Sequence, residues 1–180
     1  MYRGETVNGP EAFSVQFYLQ TAGQIARRPG EFFAGRAGDS GWAQPLGFLL
    51  ISSLIHATAG LTQSTMAPWL AFSLALANAM VTTMVAALAA CPAVMLLKHN
   101  HVPLVKVASI YAYAAGVTLL VSWLPSLLWF GEITKWALAG VGLVKALEMK
   151  RWQALVVVVV SFAITVFLFL FMAGLAQRLV

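Results

Sequence analysis

Charge is what this sequence has least of. Only 9% of its 180 residues are charged, where a soluble domain carries about 25%. So few charges cannot clothe a water-facing surface, which excludes an ordinary soluble fold. Carboxylates are the scarcer sign, six against eleven Lys and Arg, and no two of them sit together inside an apolar run. There is one cysteine, Cys91, so an intrachain disulfide is excluded, and the sequence around it lacks zinc-ligand spacing. No Ser-His-Asp order, phosphate-cradling Gly-rich loop or His-Glu-x-x-His occurs, which argues against hydrolase, NTPase and metalloprotease chemistry. No catalytic, cofactor or metal site is expected. Residues 1–40 carry no long apolar run, so a cleaved leader is not expected either.

Long apolar runs are what the chain does have. It is 61% hydrophobic. Five runs read as spanning helices, at 44–61, 68–97, 103–124, 134–147 and 152–175, the fourth beginning earlier if 126–130 is also helical. The fold class is therefore all-α, a polytopic transmembrane bundle over 41–180, preceded by an N-terminal segment over 1–40. The second run is longer than the roughly 20 residues a bilayer needs, with Pro92 placed to kink it.

The basic residues set an orientation. With the N-terminus inside, nine fall on the inner side: Arg3, Arg27, Arg28, Arg36, Lys98, Lys106, Lys145, Lys150 and Arg151. Lys135 and Arg178 fall outside. Cytoplasmic loops collect Lys and Arg, so the N-terminus is expected in the cytoplasm and the C-terminus outside, with a bacterial inner membrane as the setting. The net charge of +5 then reflects this bias and an attraction to anionic lipid, with no nucleic-acid partner.

Residues 12–28 have helical spacing, with Phe13, Phe17, Tyr18, Ala22 and Ile25 on one face and Gln16, Gln20 and Gln24 on another. Pro29 ends that helix and opens a short second piece bearing Phe32 and Phe33. These are expected to lie in the membrane interface, rings down, with Arg27, Arg28, Arg36, Lys150 and Arg151 on anionic headgroups. A small cap packed on the bundle's end is the equal alternative. Spanning helices associate through close backbone approach and side-chain hydrogen bonds. The row Ala71, Ala75, Ala79, Thr83, Ala87 and Cys91 therefore reads as the central packing face. His56 and Asn78 are the intramembrane polar groups, the former expected mid-span. His99 and His101 lack a third metal ligand. Glu132 and Lys135, three apart, read as a pair at the outer surface.

The stretch Arg28-Pro-Gly-Glu-Phe-Phe33 before Trp42-Ala-Gln-Pro-Leu-Gly-Phe-Leu-Leu50 is similar to the start of the Yip1 family's membrane domain. Lys106-Val-Ala-Ser-Ile-Tyr-Ala-Tyr113 resembles the family's third-span entry. Trp136–Leu147, the basic Lys150-Arg151 and the last apolar run resemble its fourth span, inner turn and fifth span. The resemblance covers about residues 25–176. An Asp-Leu-Tyr-Gly-Pro-like N-terminal motif is absent, and Ala114-Ala115 replace a usual proline, which points to a short, prokaryotic-type member. It implies a five-span fold with no settled activity. The expected function is a non-enzymatic scaffold organising membrane shape, lipids or partner proteins. Its partners would be lipids, further copies or other membrane proteins. A small transporter with a His56/Asn78 path and an accessory subunit of a larger complex remain open.

Overall fold

The computed structural model describes residues 14–35 and 41–179. Phe13 and Arg36 lie outside them. Seven α-helices follow in order: α1 (Val15–Arg27), α2 (Pro29–Gly35), α3 (Ala43–Gly60), α4 (Pro68–Lys98), α5 (Leu104–Leu119), α6 (Leu128–Ala146) and α7 (Arg151–Leu179). No strand occurs among the described residues.

Local chemistry sets the boundaries. Ser14 caps α1, its hydroxyl accepting the Phe17 N–H at 3.1 Å. Pro29, with no N–H to lose, opens α2, and Pro68 opens α4. At the far end of α4, His99 takes the left-handed conformation, φ 53°, and its N–H reaches Met95 O at 3.0 Å. His99 therefore closes a helix, as a C-terminal cap does. α5 stops five residues before the expected end. The Thr118 hydroxyl donates back to the carbonyls of Ala114 and Ala115, and the Trp123 indole to Leu120 O. The chain then turns ahead of Pro125, and α6 begins at Leu128, six residues before position 134.

Three helices are long and apolar enough to cross a membrane: Ala43–Gln63, which includes a terminal 3-10 turn, Pro68–Lys98 and Arg151–Phe171. α5 is apolar but has 16 residues, and α6 carries Glu132, Lys135 and Lys145. Large apolar side chains cover the outside, among them Trp129 and Ile133 on α6 and Phe167 and Phe169 on α7. An apolar belt of this extent marks a surface that meets something other than water.

The centre of the bundle is α5. It packs against α3, α4 and α6, and also touches α1. Ten consecutive residues, 107–116, are buried. Ala108, Ala112, Ala114, Ala115 and Gly116 keep the helix thin enough for neighbours on every side. The small-residue row on α4 is a packing face over part of its length. Ala79, Thr83, Ala87 and Cys91 are buried, while Ala71 and Ala75 are half-buried. The second apolar run supplies one wall of the core and the third supplies its axis.

Candidate functional site

The polar and aromatic groups fall into three places. The first is a seam that holds α1 and α2 against the bundle. Phe32 stands edge-on to Tyr113 at 5.0 Å, and Phe48 joins Tyr113 to Tyr18 at 5.5 and 4.9 Å. Tyr18 shares a 3.0 Å hydrogen bond with Ser52 on α3. Burial pushes the Tyr18 phenol above its usual range, and the bond to Ser52 opposes this. Gly116 leaves the Phe48 ring its space, since a Cβ there would meet that ring at 2.6 Å.

Of the two alternatives open for Phe17, Phe32 and Phe33, rings laid in lipid or a cap packed on the bundle, this seam has the geometry of the cap. All three are buried in protein, Phe33 to 1% exposure. The physical reason is a slot: Gly142 of α6 has no side chain where Phe33 enters beside Ile110. Arg27 and Arg28 face outward, with Arg28 paired to Glu31 at 3.3 Å. Between α1 and α2 they line an open cleft of about 1,020 Å³ together with Gln20 and Gln24.

The second place is the interior polar set. The structure does not bring His56 and Asn78 together through any hydrogen bond among the described residues. His56 Nδ1 lies 3.4 Å from Ser122 Oγ in the turn after α5. It stands four residues from the end of α3 and seven from Gln63, where the candidate span ends, so it lies in the second half of that span. Asn78 is exposed on α4, and its carbonyl accepts from Thr82 Oγ1 at 3.2 Å. A weak His56–Ser122 bond has a modest worth. His56→Ala and Ser122→Ala should each lower stability by about 1 kcal/mol, and the double variant by about as much as either alone. Thermal unfolding in detergent checks this; additive losses would show the two side chains uncoupled.

The pair placed at the surface by sequence has its carboxylate there, Glu132 being 49% exposed, while the lysine leans inward. Lys135 Nζ donates to Glu132 Oε1 at 2.8 Å, and the lysine side chain is 18% exposed. It lies over the Trp136 ring and beside Thr82 and Thr83 of α4 and Tyr111 of α5. Because α6 starts at Leu128, Glu132 and Lys135 lie about 6 and 10 Å along it at 1.5 Å per residue. An earlier helix start, open from the sequence, was the signal for this. Tyr111 also bonds Ser161 of α7 at 2.8 Å, a link that apolar periodicity does not announce.

The third place is the turn between α6 and α7, where Lys150 and Arg151 are exposed. Lys98 Nζ donates to Leu147 O, and Gln153 Nε2 donates to Leu97 O at 3.0 Å. These crossed bonds join the end of α4 to both sides of that turn. His101 lies nearby in sequence and is exposed; no group of three potential metal-ligating side chains occurs among the described residues. No family model, curated protein or solved structure matches the chain.

Proposed function

We propose that this chain is a five-span, Yip1-like membrane protein that works as a non-enzymatic scaffold, its N-terminus on the cytoplasmic side of a bacterial inner membrane. α3 to α7 supply the five spans, with α5 enclosed by its neighbours and α6 packed between α5 and α7 with one side outward. The positive-inside rule supports the orientation. One observation carries the scaffold reading: the amphipathic α1 and α2 are locked by buried rings to the bundle, so their polar face is held rigid. That face presents Arg27, Arg28, Gln20 and Gln24 around the open cleft. A fixed, charged, concave surface suits a partner protein better than a mobile tail, because less ordering entropy is lost on binding.

The test is a photoreactive side chain at Gln24 in native membranes. A discrete cross-linked partner should form, and it should disappear in Arg27→Glu/Arg28→Glu at unchanged protein level. A partner that persists in the charge-reversed chain, or no partner at all, would overturn the scaffold reading. A second reading, a small transporter, draws its support from the Glu132–Lys135 pair beside Thr82 and Thr83, since an ionisable pair within a span marks a functional candidate. Under that reading reconstituted vesicles should show solute flux that Lys135→Met removes.

A further inference from the structure

We infer that the groove between α6 and α7 is a lipid site that takes one acyl chain of an anionic phospholipid, with the phosphate at Lys145 and Arg151. This stands on the bilayer setting alone and is independent of the scaffold role.

The groove encloses about 570 Å³, within the roughly 300–1,000 Å³ of small-molecule sites. Its walls are apolar, with Val141 and Val144 on α6 and Ala154 and Val158 on α7. Gly140 adds no side chain to its floor, and a Cβ there would sit in contact with Val158 Cγ2 at 3.7 Å. At one end the lining changes abruptly to two cations, Lys145 and Arg151. Neither forms an ion pair or side-chain hydrogen bond among the described residues. The Lys145 stem is bounded by α2, its Cε 3.6 Å from where a Cβ of Gly30 would sit. Arg151 is the first residue of α7, so the positive end of that helix dipole adds to the same spot. Lys98 and Lys150 are near, and Glu148 is the one carboxylate in this turn.

Length and the placement of charge select the occupant. From Trp136 to Lys145 the groove follows nine residues of α6, about 14 Å at 1.5 Å per residue. That is close to one leaflet, half of the roughly 30 Å hydrocarbon core. Its lining is apolar along this length and cationic only at one end, the pattern of an acyl chain with an anionic headgroup. A single chain fits, and the cations stand where its headgroup would emerge. Basic pockets between spanning helices take anionic headgroups by this geometry.

The full chain in mild detergent, given phosphatidylglycerol or phosphatidylcholine with identical acyl chains, should retain one phosphatidylglycerol by native mass spectrometry. Lys145→Gln/Arg151→Gln, both at exposed positions, should keep the fold and lose about thirtyfold in the preference for phosphatidylglycerol. Gly140→Leu fills the groove and should weaken both lipids alike. Excess inorganic phosphate should not displace the bound lipid. Equal retention of the two lipids by the native chain would overturn the inference, as would an unchanged preference in the double-Gln variant. So would a dimer that Gly140→Leu splits, because a second copy would then occupy the groove.

Discussion

Phe33→Asp should release the two N-terminal helices from the bundle. Phe33 is 1% exposed and enters between Ile110 and the bare backbone of Gly142. Removing a buried phenylalanine costs about 3–5 kcal/mol before any charge is considered. The carboxylate then either stays buried without a partner or leaves, taking α2 with it. Trypsin reads the outcome at Arg27, which is exposed but helical in the intact protein. Cleavage follows the population of the open form, so it should rise by about 100-fold or more for a local loss of 3 kcal/mol. Phe33→Leu keeps an apolar filler and should cost about 1.5 kcal/mol or less. Had the ring lain in lipid, Asp would weaken vesicle binding and leave the unfolding temperature alone. An unchanged unfolding temperature with unchanged cleavage would refute the buried seam.

Gly142→Ala should destabilise, against the usual sign. In a helix interior the exchange of Gly for Ala ordinarily gains up to about 1 kcal/mol. At Gly142 an added Cβ overlaps the Ile110 side chain and meets the Phe33 ring at 3.2 and 3.3 Å. Ile110 is fully buried, so it has nowhere to move. Overpacking of this kind costs about 1–3 kcal/mol, and Gly142→Leu should exceed that range and cost expression of the folded protein. Gly23 is the control: nothing lies within 4 Å of a Cβ there, so Gly23→Ala should stabilise slightly. Opposite shifts in the unfolding temperature of Gly142→Ala and Gly23→Ala are the expected result. Shifts of the same sign would mean that the three-way contact of α2, α5 and α6 is looser than described.

The helices themselves were largely legible, and their partners were not. Apolar runs marked α3, α4 and α7 to within a few residues, because length and hydropathy are local properties. The same runs overextended α5, where the Thr118 back-bonds and the turn before Pro125 end the helix early. They left the start of α6 open between 126 and 134, and so did not show that Lys135 leans in beside α4 and α5 while Glu132 stays exposed. Spacing showed that Phe17, Tyr18 and Ile25 share a face, yet an apolar face reads alike whether lipid or protein covers it. Glycine at positions 116 and 142 was the available sign of close packing. The interhelix hydrogen bonds pair residues far apart, 34 positions for Tyr18 and Ser52 and 50 for Tyr111 and Ser161. No periodicity encodes such pairings.

The crossed bonds from Lys98 to Leu147 O and from Gln153 to Leu97 O act as a rivet at one end of the bundle. Each uses a side chain of one partner and a backbone carbonyl of the other, so neither side can slide along its axis without breaking one of them. The opposite end has no equivalent fastening of α4 to the final hairpin among the described residues. Tyr111 adds a second tie to α7 at Ser161, ten residues into the helix, so α7 is held to the bundle at two levels and any loosening is expected beyond Ser161.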